Sequence, residues 1–185
     1  MKYGNIKYYA TEDGIGCRTV LFVSGCRHHC KGCFQPQTWN FNYGDDFTEE
    51  TENTILKSLD NKYVHGLTLL GGEPFEPENQ KVLKPFIEKV KQQYPDKTIW
   101  AYSGYTFEEL MDETTNCHTN DTVDILNMID VLVDGEFIES EMSKMLPYRG
   151  SKNQRIIDIP STLKKWSENN KTIILSEYHE KKIIK

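Results

Sequence analysis

Short apolar runs alternate with helical periodicities along this chain. Residues 18–23, 66–70, 98–102 and 129–133 are each five or six residues long, rich in β-branched or aromatic side chains, and bounded by turn residues, as buried strands are. Between them, Thr48 is an N-cap with Glu49 and Glu50 in the first turn, and Ile55, Leu56 and Leu59 fall on one face of the helix it opens. Val82, Leu83, Phe86, Ile87, Val90 and Tyr94 predict a second helix, which Pro85 either kinks or begins. Thr106 caps a third helix through Glu113, and residues 123–128 and 160–169 predict a fourth and a fifth. Residues 5–9 read as an edge strand, 156–159 and 172–176 as the last strands, 116–121 as a polar loop, and the end from Lys181 as frayed. Strand and helix in alternation predict an α/β fold, and 185 residues suit one domain.

Composition narrows the function. Lys+Arg 22 against Asp+Glu 28 gives a net charge of -6 without a basic block, which argues against nucleic acid as a partner. No segment has the roughly 20 apolar residues of a membrane span, and the start lacks a signal-peptide pattern. Five cysteines, three of them clustered and Cys17 and Cys117 isolated, are not a secreted disulfide framework. A soluble protein of the reducing cytoplasm is expected.

The cluster is Cys26-Arg-His-His-Cys30-Lys-Gly-Cys33, directly after the apolar run 19–25. Thiolates suit zinc and iron-sulfur centres alike. Three on one short loop leave one position of a tetrahedral zinc site or a four-cysteine cluster to be filled from elsewhere. A Cys3His zinc knuckle through His28 or His29 is the plain alternative, although zinc modules bring their ligands in two separated pairs. The histidines otherwise read as exposed loop residues. Gly71-Gly72-Glu73-Pro74 closes the next apolar run. Glycines at a strand end let a ligand lie against the backbone, whose carbonyls can accept from an ammonium, while Glu73 can pair with that ammonium or brace the turn.

The CxxxCxxC run after a strand, with Gly-Gly-Glu-Pro about forty residues later, resembles the radical S-adenosylmethionine (SAM) enzymes. Asp13-Gly-Ile-Gly16, residues 18–25, 100–105, 131–137 and 149–155 resemble in order the anaerobic ribonucleotide reductase activating proteins, over about residues 3–160. The resemblance implies an incomplete (β/α) barrel open at one side, an activase domain over residues 1–160, and a C-terminal helix and strand extension over 161–185. It implies that Cys26, Cys30 and Cys33 hold three irons of a [4Fe-4S] cluster and that SAM chelates the fourth. An external one-electron donor then drives SAM cleavage to a 5'-deoxyadenosyl radical, which takes hydrogen from a glycine of the large reductase subunit, leaving a glycyl radical. SAM contacts are expected from Gly32, Cys33, Phe34, Gly71, Gly72 and Glu73, with Ser103 and Asp134 at further strand ends, and no catalytic side chain beyond cluster and SAM. Gly32 stands where the commonest pattern has an aromatic residue, and Phe34 follows the third cysteine. Gly72 is expected to be glycine because SAM lies against its backbone. Three other readings stay open: an activase for pyruvate formate-lyase, a small-molecule radical SAM enzyme, and a non-catalytic iron-sulfur electron carrier.

Overall fold

The computed structural model describes residues 1–169 and 171–175. Its strands are β1 (Lys2–Ala10), β2 (Arg18–Val23), β3 (Asp45–Asp46), β4 (Gly66–Gly71), β5 (Thr98–Tyr102), β6 (Val131–Asp134) and β7 (Arg155–Asp158). They form one sheet in the order β3-β1-β2-β4-β5-β6-β7. β2, β4, β5 and β6 are mutually parallel, whereas β1, β3 and β7 run antiparallel to their neighbours. The α/β single-domain expectation is met, but the sheet is open, with β3 and β7 as its edges.

The helices are α1 (Glu49–Leu59), α2 (Pro77–Gln93), α3 (Phe107–Met111), α4 (Thr122–Met128) and α5 (Ile159–Asn169). The parallel strands follow one another across the sheet in chain order. Right-handed crossovers then place α1 to α4, which connect those strands, on the same face. One core accordingly joins Ile55 and Leu59 of α1, Leu83, Phe86, Ile87 and Val90 of α2, Leu110 of α3, Ile125 and Leu126 of α4, and the alternate strand residues Leu21, Val23, Leu67, Leu69, Ile99, Ala101 and Leu132. Leu163 and Trp166 of α5 pack against it, so the boundary expected at residue 160 falls in the first turn of a helix that belongs to the core. Among the described residues, the apolar clusters on the opposite face, which bears Phe22, Trp100, Val133 and Tyr102, take no member from an α-helix.

Thr48 and Thr106 cap α1 and α3, each in a reciprocal capping box. α2 begins at Pro77, and Pro85 lies inside it. α3 stops at Met111 because Asp112 turns extended. Of the expected strand over 172–176, Ile174 makes one isolated bridge to Ile157; Ser176 and the end from Lys181 lie outside the described residues. Among the described residues no helix is long and apolar enough to cross a membrane.

Candidate metal centre and ligand cleft

Because the four central strands are parallel, their C-terminal ends share one rim, with Val23 level with Gly71 and Tyr102 with Val133. The cysteine loop leaves β2 there. Its first turn is held by Gly25 N–H donating to the Thr38 carbonyl (2.7 Å) and Cys26 N–H to that of Trp39 (3.2 Å). The Gly-Gly-Glu turn after β4 docks on the same loop, Gly72 N–H donating to the Val23 carbonyl (2.7 Å) and Glu73 N–H to that of Gly25 (2.8 Å).

On the face opposite the α-helices these turns surround a cavity of about 530 Å3. Cys26, Cys30, Cys33, Phe34, Gly71, Gly72, Glu73 and Ser103 all line it. Gly32 does not; its φ of +77° suits glycine, and a Cβ there would meet the Glu139 carboxylate at 2.9 Å. Nor does Asp134. It is fully buried behind the rim, accepting from Phe107 N–H (2.7 Å) and from Arg155 Nε (2.9 Å) and Nη2 (2.5 Å), so both its oxygens are committed to the fold.

Glu73, 1% exposed, braces two turns at once. Its carboxylate accepts from Phe75 N–H (2.8 Å), Ser103 Oγ (2.9 Å) and Gly104 N–H (2.7 Å). Of the two roles the sequence allows it, bracing is the one its contacts fill, and Ser103 is spent on the same brace. Glycine at 72 also has a reason apart from the expected contact with SAM. A Cβ would lie 2.5 Å from the Gly25 carbonyl oxygen and 3.0 Å from that of Thr38, so the neighbouring backbone already demands its absence. Gly72→Val should therefore lower stability by about 1–3 kcal/mol with or without SAM. The melting temperature of the metal-free variant checks this; a wild-type melt would return the constraint to the ligand.

Burial, and next the Glu73 carboxylate, push the Cys26 thiol up to about 12; burial also raises Cys30. Both must lose protons to bind metal, so only a strongly cationic group makes thiolates stable there. Among the described residues no three His, Cys, Asp or Glu side chains converge as ligands of a single ion do. His28, expected to be exposed, is 12% exposed with its ring nitrogens facing Glu73 and Glu136, and His29 stacks on Trp39 (4.7 Å), so neither completes a zinc knuckle. Thiols spread along a cavity wall suit a cluster in which each iron takes one thiolate. Cys17 lies outside the cavity, and Cys117 is buried with its thiol against the Thr115 hydroxyl (3.2 Å).

Asp13, Trp39, Tyr102 and Phe137 also line the cavity, although no site role was expected of them. Asp13 Oδ2 is buried without a hydrogen-bond partner among the described residues, and burial raises its carboxyl above the usual range. An orphaned acceptor in a cavity wall fits a ligand that brings a donor. Asp13 carried a signal, since it opens the Asp-Gly-Ile-Gly turn, and Tyr102 and Phe137 fall within the segments 100–105 and 131–137; Trp39 carried none.

The 4Fe-4S single-cluster domain model matches residues 12–157. The chain is 43% identical over 155 residues to the anaerobic ribonucleoside-triphosphate reductase-activating protein of Pasteurella multocida, covering 82% of this chain and 94% of that one. It is 41% identical to the protein of the same name from Haemophilus influenzae (82% and 95% covered) and 37% identical to that of Enterobacteria phage T4 (84% and 93% covered). By these likenesses over most of its length, the chain belongs to the family of anaerobic ribonucleoside-triphosphate reductase-activating proteins and carries a 4Fe-4S domain.

Proposed function

We propose that this protein is an activase that uses a [4Fe-4S] cluster and SAM to install a glycyl radical on the large subunit of anaerobic ribonucleoside-triphosphate reductase. The observation that carries the reading is the gathering of Cys26, Cys30, Cys33 and the Gly71-Gly72-Glu73 turn around one cavity, in a chain whose relatives are named for that activation. Cys26, Cys30 and Cys33 would hold the cluster, and Gly71, Gly72, Cys33 and Phe34 would contact SAM. Glu73 and Ser103, which line the cavity, would brace these turns beside the ligand, whereas Gly32 and Asp134 would support them from outside the cavity. When bound, cluster and SAM supply the one-electron cleavage and hydrogen-atom abstraction that no side chain here can.

The chain's own part is placement and exclusion of water. Phe22, Leu70, Phe34 and Phe137 give the cavity an apolar wall, with Phe34 and Phe137 in ring contact (5.1 Å). A cavity of this volume holds a small cofactor. The open sheet would leave a way in for a protein loop, as an open, incomplete barrel does. An external donor supplies the electron, and the cytoplasm is the expected setting.

Anaerobic mixing of the reconstituted protein with the reductase, SAM and a reductant should give a glycyl-radical signal in electron paramagnetic resonance. SAM cleavage without that signal would point to pyruvate formate-lyase or a small molecule as substrate, and absence of cleavage to an electron carrier.

A further inference from the structure

His28 is the one side chain between the cysteines that reaches the turns after three other strands. Its Nε2 lies 3.3 Å from Glu73 Oε2 after β4, and its Nδ1 3.2 Å from Glu136 Oε1 after β6. After β5 its ring packs on Tyr105 at 4.3 Å between centroids, and it sits so closely over Gly104 that a Cβ there would come within 2.6 Å of it. Only 12% of the side chain is exposed. Glu73, in turn, holds Gly104 N–H and Ser103.

We infer that His28 is a positioning residue, a strut that fixes the cysteine loop against the Gly-Gly-Glu and Ser103-Gly104 turns and so sets the distance between metal and SAM cradle. The inference rests on the proposed use of cluster and SAM. The other anchors of residues 27–32 lie away from the β5 turn: Arg27 pairs with Glu76 and Glu78, donates its backbone N–H to Glu76 (2.7 Å) and lies over Phe41, His29 stacks on Trp39, and Lys31 pairs with Glu139. Without the imidazole, the loop can still bind iron but loses its link to Gly104. A loop so freed holds its metal at a less defined place relative to SAM, which weakens binding of SAM more than the reaction of what is bound.

The test compares His28→Ala, Gly104→Ala and the double variant with wild type. Gly104 has no left-handed φ, so alanine is tolerated by the backbone there and acts by displacing the ring. Both single variants should reconstitute wild-type iron, raise the KM for SAM by about tenfold with kcat changed far less, and speed hydrogen exchange over residues 27–33 in the metal-free protein. The double variant should be no worse than His28→Ala alone, because a methyl group at 104 has nothing left to displace. Loss of iron or of the fold in His28→Ala, an unchanged KM, unchanged exchange, or effects that multiply in the double variant would each overturn the strut. Failure of the wild type itself to cleave SAM would instead overturn the proposed reaction.

Discussion

Replacing Cys26, Cys30 or Cys33 singly by Ala should remove most cluster iron and lower glycyl-radical formation by more than about a hundredfold, the upper range for residues that merely support metal ligands. Cys17→Ala and Cys117→Ala should leave both near wild type. The three thiols share one cavity wall, and two of them sit where burial disfavours thiolate, so the cluster's positive irons and the loop depend on each other. Removing one thiolate leaves an iron without a protein ligand and two thiols with a weaker reason to ionise. Cys117 has no such role, since its thiol is enclosed by Thr115 and the Glu109 carbonyl. Iron content and the visible spectrum after anaerobic reconstitution decide it. A Cys117→Ala protein lacking its cluster while one of the three retains it would break the assignment.

What the sequence revealed of the fold follows from where the apolar signal is dense. β2 matches its expected span because six consecutive residues are buried, as a central strand with both faces covered requires. α1 and α3 begin where Thr48 and Thr106 say they should, since a capping side chain marks a boundary that periodicity cannot. β3 carried no signal: Asp45 and Asp46 are exposed and strand-like only by pairing with Lys2 and Tyr3. The first turns of α2 were hidden for a different reason. They bury Asn79 and Gln80, whose amides are satisfied by the carbonyls of Ser24, Glu73, Phe75 and Cys117, a pattern that apolar spacing does not register.

The site divides in the same way. Spacing within one loop exposed the cysteines, and glycine pairs at a strand end exposed the second turn. Contacts across long separations were not legible: nothing in the chain marks His28 and Glu73 as neighbours, or shows that Glu73 also takes Gly104 N–H. Strand ends alone suggested a ligand role for Ser103 and Asp134. Their hydrogen bonds are instead with Glu73, Tyr105, Phe107 and Arg155, because turn residues at a crowded rim are needed first by the backbone around them.

Asp134 makes the sharpest case. Arg155→Leu should destabilise the protein by about 3–5 kcal/mol, because it strands a fully buried carboxylate rather than deleting a surface ion pair. In a domain of this size that is a fall of roughly 10 °C in Tm. Burial already pushes the Asp134 carboxyl above its usual range against the pull of Arg155, and without Arg155 it rises further. A carboxyl whose folded pKa exceeds its unfolded one binds more protons folded than unfolded, so that contribution to stability is present below the unfolded pKa and lost as pH rises through the folded one. The penalty of Arg155→Leu should thus be larger at pH 7 than at pH 5. Asp134→Asn, which keeps an acceptor for Phe107 N–H, should cost less than Arg155→Leu and leave the KM for SAM unchanged, since Asp134 does not line the cavity. Thermal melts at the two pH values and a SAM titration separate the possibilities: a stable Asp134→Asn protein with weakened SAM binding would put this carboxylate back in the ligand site.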